Sequence, residues 1–195
     1  VGDSIKRLEP DELGIPVQII TVPWVAQSRL MTRNETAGMA LPDIMMMMED
    51  KVTETVQRLI ETADPSIPLI LTAHASVQGA VYGSERAVML GNELVLGGGL
   101  INDKRIDYVA LGHIHKHQDV SKGGQPPIVY PGSIERIDFG EIDDVKGFVL
   151  AQVAREQTKF TFEKLQTRPF FNYKADTATA DAPNSPRSCS TLPRL

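Results

Sequence analysis

The sequence predicts an α/β fold, and three observations carry the prediction. The β-branched run Val17-Gln18-Ile19-Ile20-Thr21-Val22 has the make-up of a buried strand. An amphipathic segment from Asp43 to Ala63 is followed, after a proline-bounded turn, by the apolar run Pro68-Leu69-Ile70-Leu71-Thr72-Ala73. A third apolar run, Ile106-Asp107-Tyr108-Val109-Ala110-Leu111, ends in histidines. Strand, helix, short turn and strand in that order is the grammar of a layered α/β domain.

Taken in order, residues 1–12 read as polar and irregular. Pro23-Trp24 ends the first strand, because proline cannot continue a ladder. Residues 26–40 read as a polar loop. The helix then has Pro42 in its first turn and Asp43 at the positive end of its dipole. Its apolar positions are Ile44, Met48, Val52, Val56, Leu59, Ile60 and Ala63, spaced by three and four. The Met45–Met48 run is expected to supply pliable packing against a sheet. Asp64-Pro65-Ser66-Ile67-Pro68 stops the helix. Gly97-Gly98-Gly99 lacks the lysine and Ser/Thr of a phosphate-binding loop, so a flexible turn is expected there. Ile128-Val129-Tyr130 reads as a short strand. Gly147–Val153 and Lys159–Leu165 read as a hairpin. Residues 1–171 are expected to form one structural unit. Residues 172–195, rich in Ala, Thr, Ser, Pro and Asp, are expected to form a disordered or loosely attached tail.

With 195 residues, 42% hydrophobic and 23% charged, the chain can bury a core. The net charge of −5 gives no global attraction to nucleic acid or an anionic membrane, so a phosphate partner must be met by a local basic patch or by metal. The single cysteine, Cys189, excludes an internal disulfide framework and fits a reducing compartment. No apolar run has a membrane-spanning length, and the first ten residues lack a signal-peptide core. A cytoplasmic protein with no membrane partner is expected.

The chemistry sits with the histidines. Of four, His113, His115 and His117 fall within five residues after one apolar run, and His74 ends another. In an extended segment residues i and i+2 point the same way, so His113 and His115 are expected to face one cavity with Ile114 in the core. Neutral imidazole suits zinc, manganese or iron. Gly112 leaves room beside the backbone. His117, between Lys116 and Gln118, is expected at the solvent surface. A cupin-like mononuclear site using Asp119 needs a second histidine motif after Pro131-Gly132, and none is present.

The stretch Ala110-Leu111-Gly112-His113-Ile114-His115 resembles the Gly-His-x-His motif of calcineurin-like metallophosphoesterases. Asp107 to Lys116, with Val129-Tyr130-Pro131-Gly132-Ser133 running on to Glu141 and then Lys146-Gly147-Phe148, is similar to SbcD-type DNA repair exonucleases. The resemblance runs from about Gly14 to Phe170. It implies a β-sandwich flanked by helices and holding two divalent metal ions, manganese foremost. It implies that His74 and His113 serve one metal and His115 the other. It also implies DNA as substrate and an SbcC-type ATPase subunit as partner. The Tyr130–Ser133 turn matches a family loop, for which a plain tight turn is a sufficient reading.

The family's Asp-x-His and Asn-His-Asp motifs are absent, Gly2-Asp3 is only a dipeptide without the downstream Asn-His-Asp, and no histidine precedes His74. The resemblance therefore implies half of the sandwich, with three metal ligands and no assigned catalytic residue. A complementary N-terminal half or a homodimer partner is expected to complete it. A degenerate relative serving as an assembly module for the ATPase is the alternative. Contact with DNA, if made, is expected from Lys104, Arg105, Lys116 and Arg136, with Arg29, Arg33 and Arg86 as further cations.

Overall fold

The structure is a computed structural model that describes residues 5–25, 30–32, 34–83 and 94–171. The expected tail, Cys189, Arg29, Arg33 and Arg86 lie outside the described residues.

Among the described residues, β1 (Lys6–Leu8), α1 (Pro10–Leu13), β2 (Gln18–Val22), α2 (Leu41–Glu61) and β3 (Leu69–His74) come first. β4 (Ser76–Val77), β5 (Val95–Leu96), α3 (Gly98–Ile101), β6 (Tyr108–Gly112), β7 (Gln118–Asp119) and β8 (Ile128–Tyr130) follow. The last elements are a 3-10 turn (Phe139–Glu141), β9 (Gly147–Gln152) and β10 (Lys159–Lys164). Six strands form a mixed sheet in the order β1-β2-β3-β6-β8-β7. The four inner strands are parallel and the two outermost antiparallel to their neighbours.

Helix α2 covers one face. Its buried stripe, Ile44, Met48, Val52, Val56 and Ile60, repeats every four residues. That stripe shares one core with Ile20, Leu71, Val109 and Ile128, none of them solvent-exposed. Fully burying side chains of this size contributes about 1.5–3 kcal/mol each. Within the methionine run, Met48 is core while Met46 is 60% exposed, so only part of the run packs. Past the helix end, Gln18 and Asp64 exchange two 3.0 Å hydrogen bonds, amide to backbone, that clip the turn onto β2.

Among the described residues the opposite face is covered by the β9–β10 ribbon alone, paired antiparallel over all six residues. Between ribbon and sheet runs a cleft lined by Thr72, Tyr108, Ala110, Val129, Val149 and Ala151. The architecture is mixed α/β, a sheet flanked by helices on one side and partly sandwiched on the other.

Three expectations are corrected. Residues 6–13 are regular: β1 is an edge strand, and α1 carries a capping box between Glu9 and Glu12. Three-residue strands are too short for alternation to register in the sequence. Residues 26–40 are not wholly a surface loop, because Leu30 and Met31 are buried in the core. Gly97 caps α3 instead of leaving a flexible turn.

Candidate metal centre

Parallel pairing brings the histidines together. Ala73 pairs with Leu111 and His74 with Gly112, so His74 and His113 leave adjacent strands at the same carboxyl edge. Val22 pairs with Ala73, which puts Trp24 at that edge as well. Carboxyl ends of parallel strands are where sites of open α/β sheets collect.

The His74 and His113 ring centroids are 5.1 Å apart. The Trp24 indole lies 5.1 Å from His113 and 5.7 Å from His74, edge-on to the latter. Gly112 makes this possible: a Cβ there would come within 3.2 Å of His74 Nδ1. Desolvation holds the His74 pKa below the usual histidine value, and the nearby His113 and His115 disfavour its protonated form further. The neutral ring keeps a lone pair for a cation.

The alternation argument for His113 and His115 does not hold. The strand ends at Gly112 and the chain turns at His113, which has φ 99°. Ile114 is nonetheless buried, as expected. His115 is fixed from elsewhere. Its Nδ1 lies 2.8 Å from Glu141 Oε1, and its carbonyl accepts from the Ser133 N–H at 3.1 Å. The Pro131-Gly132-Ser133 turn therefore braces the histidine segment. A Cβ on Gly132, at φ 80°, would meet His115 O at 2.7 Å and His117 N at 2.9 Å.

His117 is half-buried, where full exposure was expected. Its ring stacks on Phe162 at 3.9 Å and 9°, and its Nδ1 donates to Tyr130 O at 2.9 Å. Asp119 ties down a turn through Ser121 and Gly123, and is not directed to the histidines.

Glu141 is the candidate site residue that sequence reasoning misses. It is 1% exposed, and its carboxylate accepts from Lys146 and from Ile137 N–H besides facing His115. Burial pushes its pKa up, but hydrogen bonds from Lys146, His115 and Ile137 outweigh that and hold it below the usual carboxylate range. The available signal was its place at the end of the Glu135–Glu141 stretch.

The four cations expected to meet DNA are not brought together. Lys104 and Arg105 precede β6, at the opposite end of that strand from His113. Arg105 is paired with Asp103 at 2.6 Å. Lys116 is exposed beside the histidines. The Arg136 guanidinium donates to the carbonyls of Glu141, Ile142, Asp144 and Arg168.

Among the described residues no three His, Cys, Asp or Glu side chains converge closely enough to hold a cation. The donor set fits one wall of a metal centre. A pair of divalent cations also needs anionic oxygen ligands, and among the described residues no group of three His, Cys, Asp or Glu supplies them together with these histidines. No helix among the described residues is long and apolar enough to cross a membrane.

No family model matches the chain. Over 59 residues, 30% of the chain, it is 37% identical to the uncharacterized metallophosphoesterase YhaO of Bacillus subtilis, a match that covers 14% of that protein. Over that segment the chain is similar to a metallophosphoesterase, and the match spans about one seventh of that protein's length.

Proposed function

We propose that the chain contributes the histidine wall of a two-metal phosphodiesterase centre of the SbcD type. It would act on DNA with manganese and together with an SbcC-type ATPase subunit. One observation carries this reading: His74 and His113 lie ring to ring at the ends of adjacent parallel strands, with His115 beside them on a buried carboxylate. When bound, two divalent cations supply Lewis acidity and a water of lowered pKa. The residues present do the rest. His74 and His113 offer neutral nitrogen donors, Trp24 walls one side, and exposed Lys116 can meet a phosphate of the bound strand. Anionic ligands from outside the described residues, such as a complementary chain or a partner copy, would complete the centre, and the described residues alone are expected not to cleave DNA.

The only tryptophan makes a direct test. Paramagnetic Mn2+ bound at His74 and His113 would quench Trp24 fluorescence, since both rings lie within 6 Å of the indole. Titration with Mn2+ should give saturable quenching, weakened at least ~10-fold by His74→Ala. Unchanged fluorescence, or equal quenching in the variant, rules the reading out.

The second reading is a non-catalytic module that docks on the ATPase subunit. It is favoured by the want of a converging carboxylate among the described residues. Stable co-purification with such an ATPase, without Mn2+-dependent DNA cleavage by the complex, would select it.

A further inference from the structure

Lys146 is a charged side chain with 0% exposure, and nothing in the proposed chemistry accounts for burying it. Its three N–H groups meet three acceptors: Glu141 Oε2 at 2.9 Å, Asp144 Oδ2 at 3.2 Å and the His115 carbonyl at 3.2 Å. Glu141 in turn faces His115 Nδ1 at 2.8 Å through its other oxygen. Lys146 thus holds the backbone of His115 directly and its ring through Glu141. An ionised carboxylate can only accept, so the Nδ1 facing it carries the proton. In the neutral ring the Nε2 lone pair then points away from Glu141.

We propose that Glu141 and Lys146 are positioning residues that lock His115 as the Nδ1–H tautomer, with Nε2 presented outward. This is the reverse of the tautomer that a free histidine side chain favours. That the outward Nε2 serves a cation rests on the function proposed above; the tautomer itself does not. Carboxylates behind metal-binding histidines fix the ring and raise its basicity in this way.

The geometry makes the Glu141→Gln variant informative. Lys146 and the Ile137 N–H both donate to Oε2, so the amide oxygen of glutamine must take that side. The amide NH2 then faces His115 Nδ1, which must become an acceptor, and the proton moves to Nε2. Imidazole 15N–1H correlation spectra of the metal-free protein read this directly, the His115 signals being assigned by their loss in His115→Gln. The wild type should show the Nδ1–H tautomer and Glu141→Gln the Nε2–H tautomer. Mn2+ quenching of Trp24 should weaken at least ~10-fold in the same variant. An Nε2–H or rapidly averaging His115 in the wild type overturns the proposal, and this measurement needs no variant to fold. A tautomer unchanged by Glu141→Gln in a folded variant also overturns it. If both tautomers are as expected and Mn2+ quenches neither protein, the locking of His115 is upheld and the metal-centre reading fails instead.

Discussion

His113 holds a conformation that L side chains avoid, φ 99°, at the point where β6 ends. Such a backbone costs of order 1–3 kcal/mol, and it persists only where surrounding structure enforces it. Here the turn swings the imidazole back against His74 and Trp24. Glycine would relieve the strain and alanine would not, while both remove the ring. His113→Gly is therefore expected to be about 1 kcal/mol more stable than His113→Ala by thermal or urea unfolding. Equal stabilities would show that the turn is not strained. The same residue marks where sequence reasoning stops. Two-residue alternation applies to strands, and nothing in Gly112-His113-Ile114-His115 says that the strand has already ended. The location of the site was legible because apolar runs locate strand ends. Ring orientation was not, because it depends on Glu141, 26 residues away, and on a buried lysine further on.

At the scale of elements, Asp107 joins three segments that are far apart in the chain. Inside an apolar run it reads as an exception, yet it is 2% exposed. It accepts from the Leu69 N–H at the start of β3 and the Glu156 N–H in the β9–β10 turn, each at 2.8 Å, and from Arg155 Nη1 at 2.6 Å. The ribbon is thereby tied to the sheet at the end away from the histidines, and the His117–Phe162 stack ties it nearer to them. Asparagine in place of Asp107 turns an NH2 toward at least one of these donors and leaves buried groups unpaired. Asp107→Asn is expected to lose about 3 kcal/mol, a fall in Tm of roughly 6–12 °C for a chain of this length. Arg155→Ala should cost less, because it leaves both backbone N–H partners in place. A loss below that of Arg155→Ala would mean that the ribbon is held mainly by Phe162. Strand identities were legible from composition, since β2, β3, β6, β8 and the hairpin all follow their runs. The Asp107 tie was not, because a buried carboxylate and a surface one look alike without the partner that approaches from another element.

For the whole molecule, the two faces of the main sheet are unequal. One is sealed by α2, and among the described residues the other meets only a two-stranded ribbon with a cleft beneath it. On the ribbon Leu150 is 56% exposed, and Phe148, which borders the cleft, is 39% exposed. Around the Glu141 turn, Ile134, Ile137 and Phe139 are each at least 65% exposed. Single exposed apolar residues are ordinary, whereas a patch of several beside an open sheet edge marks an interaction surface. The Glu141 turn adjoins His115, so on the function proposed above a partner seated there would lie beside the histidine wall. Without that partner the apolar surface should drive self-association. Analytical ultracentrifugation at micromolar concentration is expected to show species larger than the 21.4 kDa chain. Leu150→Lys and Phe139→Lys, placed on the two faces, should shift the distribution toward monomer if the respective face is used. Adding a carboxylate-bearing complementary chain should do so as well, by forming a defined complex in place of the self-associated species. A monodisperse, fully folded monomer that retains Mn2+ quenching of Trp24 would count against a partner. It would mean that the histidine wall and its Glu141–Lys146 support are stable with the opposite side of the centre open to water.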